Sequence, residues 1–221
     1  MKRHKHGSKT KKSGRVSRLE RTAFHEAGHA VVAHVLGRGI VRITINAGED
    51  FYGQVLNTRF SDSFRPDVET SGHTRSFIER EVKICFAGNA AESARLGREV
   101  RGGAHHDFAS AVDLLSHLTG SNEEIEAYAN WLWVCTKNKI KTPLNWSLIT
   151  ALAQELLKKR EMSGREAKRF LNETQERIFD QEKASTLRRI GSLTGVVRSV
   201  PSGFTHPGAA VDLHDVPRRR K

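Results

Sequence analysis

The stretch TAFHEAGHAVVAH, residues 22–34, constrains the fold most, because it places three histidines and a glutamate inside an otherwise apolar segment. Apolar residues recur around it at helical spacing and Gly37 and Gly39 follow, so the pattern predicts a largely buried helix over 17–36. A buried imidazole or carboxylate costs free energy unless it is paired. The helix must therefore bring these side chains to partners elsewhere in the fold.

His25 and His29 lie four residues apart, which on a helix separates them by about 40° in azimuth and about 6 Å in height. Both imidazoles therefore face one point in space, and Glu26 follows the first of them in the HExxH spacing. In sites with this spacing the two imidazoles bind Zn²⁺ and the carboxylate takes a proton from water. We interpret His25 and His29 as zinc ligands and Glu26 as the catalytic general base.

The third histidine, His34, has a different role. It lies nine residues after His25, about 180° around the helix, and so points away from the proposed metal. It also misses the HExxHxxGxxH pattern by one place, because Val35 stands where the third histidine is required. We expect a partly buried structural histidine, or one that faces the C-terminal dipole of the helix. The third metal ligand must come from another part of the chain.

The rest of the sequence predicts a mainly α fold of the α+β class. VRITI (41–45) alternates β-branched residues and FYGQVLNTRF (51–60) follows a turn, so we expect a β-hairpin, followed by a polar loop over 61–72. Helical patterns follow over 73–96, 107–118, 122–139, 143–160 and 163–182. We therefore expect one domain over 17–182, with a small β-hairpin or sheet and a C-terminal helical bundle.

The formal charge of +12 is concentrated at the two ends of the chain. Residues 1–18 carry eight Lys and Arg and no acid, and 218–221 carry four more, so the body between them is formally neutral. We expect 1–16 to be a disordered basic tail and 183–221 to be a flexible tail. Tails of this kind favour weak, sequence-independent contact with nucleic acid or an acidic partner.

Cysteine usage and hydropathy indicate the compartment. Cys85 and Cys135 are the only cysteines in the sequence, and they form no CxxC pair. This pattern is typical of a protein in a reducing compartment, and it argues against a disulfide framework and against a cysteine zinc site. No apolar run approaches the roughly 20 residues that span a bilayer. The basic N-terminus is not followed by the apolar region of a secretion signal. We expect a cytoplasmic protein without a transmembrane segment.

Several segments form a series along the chain: TAFHEAGHAVVAH, then VRITIN and YGQV, then ICFAGNAAESARLG, then GGAHHDFASAVDLL, and finally the helices from ANWLWV to REAKRFL. In this order they resemble the zinc helix, the hairpin, the G-x-AAE helix, the GA-x-x-D segment and the last helices of peptidase family M41. That family is the peptidase domain of the FtsH-type membrane AAA proteases. The resemblance extends over roughly residues 17–178.

The resemblance implies a zinc metalloendopeptidase whose third ligand is Asp107. A carboxylate oxygen suits zinc, and Gly102 and Gly103 let the backbone approach the metal closely. An aspartate in this position is also typical of a helix N-cap. Glu92 is interpreted as a residue that orients a ligand or the zinc helix, and it is the alternative third ligand. Two further candidate ligands stand directly before Asp107, namely His105 and His106.

The expected partners follow from the same resemblance. Enzymes of this kind carry membrane helices and an ATPase module, but no GxxxxGK[ST] loop occurs in this sequence. We therefore expect peptide bonds of a protein or peptide substrate to be hydrolysed without an ATPase of the chain's own. Either a separate unfoldase or adaptor supplies the substrate, or the domain cleaves flexible segments directly. We also expect that the chain can form a homo-oligomer. The alternative is a basic adaptor protein that retains a peptidase-like fold; the intact Glu26 favours the peptidase.

Overall fold

Six helices and three short strands make up the fold in the computed structural model, which describes residues 16–48, 52–61, 64–69, 71–100 and 105–197. The helices are α1 (Arg18–Val35), α2 (Gly72–Leu96), α3 (His105–Ser116), α4 (Asn122–Lys141), α5 (Pro143–Lys159) and α6 (Gly164–Val197). The strands are β1 (Ile40–Thr44), β2 (Gln54–Asn57) and β3 (Glu161–Ser163). The prediction of a mainly α fold with a small sheet is confirmed.

The three strands form one antiparallel sheet in the order β2-β1-β3. The predicted hairpin is present as β1 and β2, although β2 is shorter than the predicted 51–60. Ile43 is central, because it pairs with Val55 on one side and with Met162 on the other, and both Ile43 and Met162 are fully buried. Strand β3 was not predicted, since three residues between two helices carry too little alternation to indicate a strand. In the part of the chain described, β2 is an edge strand.

Helices α1 and α2 cross at very short range, and this crossing positions the site. Ser17 caps α1 by accepting a hydrogen bond from the backbone N–H of Glu20, which fixes where the helix begins. At the crossing, a Cβ on Gly28 would lie 2.5 Å from the carbonyl oxygen of Ala87 and 2.6 Å from the Cβ of Ala91. Only glycine allows this approach, so the small residues bring the polar face of α1 directly onto α2.

The apolar core has two parts on either side of α2. The larger one joins α1, β1, α5 and the start of α6, with Ile43, Leu152 and Leu171 fully buried. The smaller one joins α2, α3 and α4 around Phe86 and Leu132. Because α3 packs onto α2 through this second cluster, the start of α3 is held beside the helix crossing.

The last helix departs from its predicted end. We predicted a helix over 163–182 followed by a flexible tail, but α6 continues to Val197, so the predicted end of the helix is wrong. The serines and glycines there suggested an end, yet no proline interrupts the helix. Up to Ile178 the chain forms one compact unit, and the remainder of α6 belongs to a second unit in which Phe179, Leu187 and Ile190 are exposed.

The predicted tails lie largely outside the described residues, since 1–15 and 198–221 are not among them. Of the helices that are described, none combines the length and the hydropathy needed to cross a bilayer.

Candidate metal centre

The face of α1 that meets α2 carries His25, Glu26 and His29. Glu26 is 5% exposed and His29 is 8% exposed, so both are buried polar groups that require partners. His29 Nδ1 lies 2.7 Å from the carbonyl oxygen of Ile84, and because a carbonyl only accepts, Nδ1 carries the proton and donates. His29 Nε2 is therefore unprotonated in the neutral ring and faces the cavity with its lone pair.

Asp107, in the first turn of α3, meets the two histidines. Its Oδ2 lies 3.2 Å from His25 Nε2 and 3.3 Å from His29 Nε2, while the two Nε2 atoms are 3.0 Å apart. Two atoms bound about 2.0–2.1 Å from a tetrahedral zinc ion lie about 3.3–3.4 Å from one another. Two imidazole nitrogens and one carboxylate oxygen at these separations fit the zinc ion that the sequence analysis expected, with a fourth position left open.

Gly88 on α2 leaves room for this arrangement. A Cβ added there would overlap His29 Nε2 and lie 2.6 Å from His25 Nε2. Any side chain would therefore enter the space between the ligand atoms. This role of Gly88 was not predicted, because a glycine inside a helix has no local signal that distinguishes a metal site from a packing contact.

Substituting Gly88 by alanine tests this contact. We expect the variant to fold but to bind zinc at least about tenfold more weakly, because the methyl group displaces the imidazoles from their tetrahedral positions. Competition with a chromophoric zinc chelator measures the affinity. The matched control is Gly72→Ala, which also adds a methyl group at α2 but meets no atom within 4 Å. Equal zinc affinity in both variants would show that Gly88 does not shape the centre.

Glu92 lies on the other side of His25. Its Oε2 is 3.5 Å from His25 Nδ1, and its Oε1 is 2.6 Å from Arg21, so the carboxylate holds the ring nitrogen that faces away from the donor group. This position favours the orienting role for Glu92 over that of a third ligand. The sequence analysis missed Arg21, although its place four residues before His25 puts it on the same face of α1.

The carboxylates around His25 favour a positive charge on its ring. Burial lowers the pKa of His25, but the hydrogen bonds to Asp107 and Glu92 outweigh this and raise it to about 10. Burial raises the pKa of Asp107, but the hydrogen bonds of His25 and His29 hold it well below its usual range. The carboxylates of Asp107 and Glu92 therefore attract a cation strongly. A metal ion would supply the positive charge that the proton on His25 otherwise supplies.

Glu26 is adjacent to this group without belonging to it. Burial raises the pKa of its carboxyl, and the nearby His29 and His25 offset part of that effect. The backbone N–H of Val55 donates a hydrogen bond to the carboxylate. Gly53 passes so close that a Cβ there would lie 2.7 Å from Glu26 Oε1. The approach to β2 therefore fixes the carboxylate beside His25 and His29, while burial raises its pKa.

One cavity of about 1050 Å³ is lined by His25, Glu26, His29 and Asp107, together with residues of β2. Its walls come from α1, α2, β2 and the start of α3, and His106 is among the lining residues. The side chain of His105 and the predicted Gly102–Gly103 approach lie outside the described residues. His34 takes no part: it is half-buried in the last turn of α1, and burial together with Lys168 lowers its pKa.

Comparison with known proteins identifies the family that this geometry suggests. The model of peptidase family M41 matches residues 15–121. This match, over nearly half of the chain, makes peptidase family M41 the family that the chain resembles. The ATP-dependent zinc metalloprotease FtsH of Marinobacter nauticus is 30% identical over 103 residues, which are 46% of this chain. The chain spans about 15% of the length of that relative.

The M41 segment contains the elements that form the cavity. It includes α1, β1, β2, α2 and α3, and therefore both histidines, Glu26, Glu92 and Asp107. The matched family is named as a family of peptidases, and the relative is named as a zinc metalloprotease. Helices α4 to α6 and β3 lie after the matched segment and support it through the two core clusters.

Proposed function

We propose that this chain is a zinc-dependent metalloendopeptidase in which His25, His29 and Asp107 hold the ion and Glu26 is the general base. The observation that carries the proposal is the meeting of three ligand atoms within 4.8 Å of one another, beside a buried carboxylate and an edge strand. When bound, zinc would lower the pKa of a water molecule and polarise a carbonyl group. A site that only stabilised the fold would need no base beside it.

Glu26 moves the protons of the reaction. Its carboxylate accepts a proton from the attacking water and then donates it to the amine that leaves. Burial supports both steps, since a raised pKa makes the carboxylate a stronger base and lets it hold the proton between them. The N–H of Val55 keeps the group oriented while the proton moves.

Glu92 and Arg21 act by positioning. Together they fix the His25 ring through its Nδ1, just as the carbonyl of Ile84 fixes the ring of His29 through its Nδ1. Both Nε2 atoms are thereby aimed at the same point before any ion arrives. This arrangement lowers the ordering cost of metal binding.

The substrate is a protein or peptide in extended form. Among the described strands, β2 lies at an edge of the sheet and lines the cavity, so an extended peptide adds to it by main-chain hydrogen bonds. Folded proteins keep most of their strands paired or covered, so few of them are free to add in this way. Flexible segments are therefore cleaved directly, or a separate unfoldase or adaptor delivers the chain, with a homo-oligomer as one form of assembly. The two free cysteines fit a cytoplasmic location.

Removal and restoration of the metal test the proposed function. Purified chain stripped with a chelator should not cleave fluorescently labelled casein, an unfolded substrate, and one equivalent of zinc should restore cleavage. Magnesium, which prefers oxygen ligands, should not restore it. A protein that binds one equivalent of zinc and remains inert toward casein would favour the adaptor alternative.

A further inference from the structure

Several charged side chains along the cavity have a partner of opposite charge. Glu81 is paired with Arg38 at 2.9 Å, Glu92 with Arg21 at 2.6 Å, and Asp107 faces the two metal-binding histidines. Arg18 also lines the cavity, and among the described residues no carboxylate pairs with it. Within the described part of the chain, one end of the cavity therefore carries a positive charge that no carboxylate pairs with.

Arg18 is held in place by an aromatic ring. Its guanidinium carbon lies 3.5 Å from the centre of the Tyr52 ring, a stacking contact that restrains the side chain while leaving the N–H groups free at its edge. Tyr52 is 62% exposed and lies just before β2, at the cavity mouth. A restrained guanidinium with open donors is suited to bind a carboxylate in bidentate form.

The distance from the metal centre relates Arg18 to the substrate. Arg18 lies seven residues before His25, which puts both on nearly the same face of α1 and separates them by about 10 Å along the helix axis. An extended peptide advances about 3.3 Å per residue, so this distance corresponds to about three residues. Tyr52 contacts Arg18, and Val55 contacts Glu26. The chain from Tyr52 into β2 therefore runs along α1 from Arg18 towards the metal centre.

We propose that Arg18, stacked on Tyr52, is a specificity residue that selects an aspartate or glutamate side chain two to four residues from the bond to be cleaved. The inference rests on the proposed peptidase function and specifies its substrate class as acidic extended segments. Arg18 touches the substrate away from the reacting atoms, so it strengthens substrate binding without taking part in the chemistry. Its effect therefore falls on KM, with kcat nearly constant.

A peptide library with randomised positions tests the proposal on the zinc-loaded full chain, with products identified by mass spectrometry. We expect acidic residues to be enriched at one position, two to four residues from the cleaved bond. For a matched peptide pair with Glu or Gln at that position, kcat/KM should favour Glu by about 3–10-fold at low salt. The preference should shrink as salt screens the contact.

Three variants identify the residue responsible. Arg18→Gln should bring the Glu-to-Gln ratio close to one, and Arg18→Glu should prefer a lysine at the same position. The matched control is Arg75→Gln, because Arg75 also lies over a tyrosine ring, that of Tyr128, but outside this cavity. Arg75→Gln should retain the preference for Glu. An unchanged ratio in Arg18→Gln, or no acidic preference in the wild type, would overturn the inference.

A binding experiment separates this inference from the peptidase proposal. If no peptide is cleaved, the proposed function fails, and fluorescence anisotropy then decides the inference by itself. The probes are a labelled ten-residue peptide with glutamate at alternate positions and its glutamine counterpart, added to the zinc-loaded chain. Binding of the glutamate peptide should be about 3–10-fold tighter and should depend on Arg18. Equal binding of the two peptides would contradict the inference.

Discussion

Replacing Glu26 by glutamine will leave zinc bound at one equivalent and lower peptide hydrolysis by about 10²–10⁴-fold. General base catalysis contributes about this factor, and glutamine accepts no proton at neutral pH. The variant keeps the shape of the side chain and an oxygen that accepts the hydrogen bond from Val55. It also removes a buried charge, so we expect the fold to be at least as stable as in the wild type. Casein cleavage and zinc content, measured on the same sample, check both parts of the prediction.

The matched control for this prediction is Glu20→Gln on the same helix. Glu20 pairs with Arg95 at the protein surface and lies outside the cavity, so its loss should leave both zinc content and casein cleavage within about twofold of the wild type. If Glu26→Gln retained full activity with zinc bound, Glu26 would not be the base, and the proposed mechanism would be wrong.

Replacing Asp107 by alanine is expected to have the second large effect, the loss of stoichiometric zinc. Two imidazoles alone form an incomplete ligand set, and zinc sites that catalyse hydrolysis have three protein ligands. We expect zinc affinity to fall by at least about 100-fold and hydrolysis to disappear with it. Elemental analysis after dialysis and competition with a chromophoric chelator measure the two quantities.

Two companion variants assign the third ligand. Asp113→Ala is the matched control, since Asp113 is exposed on the same helix α3 and lies outside the cavity, so it should bind zinc as the wild type does. Glu92→Gln should keep one equivalent of zinc and weaken its affinity by about 10–100-fold, as expected for a residue that orients a ligand. Stoichiometric zinc in Asp107→Ala, together with its loss in Glu92→Gln, would exchange the roles of the two carboxylates.

The sequence predicted the parts of this protein whose signal is local. The face shared by His25 and His29 follows from helical geometry alone, and the exclusion of His34 follows from the same geometry. The hairpin and the main helices were predictable because their apolar periodicity extends over many residues. The apolar spacing and the glycines that follow α1 gave the first helix nearly its observed bounds.

Features that depend on the tertiary fold could not be derived in this way. Asp107 is 82 residues from His25, and only the family resemblance suggested the contact that α3 packing on α2 brings about. Strand β3 depends on pairing with β1, since three residues have no detectable pattern of their own. The roles of Gly88 and of the Arg21–Glu92 pair depend on contacts between α1 and α2, which the sequence does not reveal. The continuation of α6 to Val197 went against a composition rich in serine and glycine.

The most direct test of the central claim is mass spectrometry of casein incubated in ¹⁸O-labelled water with the wild-type chain, loaded with one equivalent of zinc. The account predicts new peptide fragments whose C-terminal carboxylates carry ¹⁸O, because water supplies that oxygen when a peptide bond is hydrolysed. The zinc-stripped chain should produce none of them. Intact casein in the presence of a chain that holds its full equivalent of zinc would contradict the claim that this centre is a peptidase.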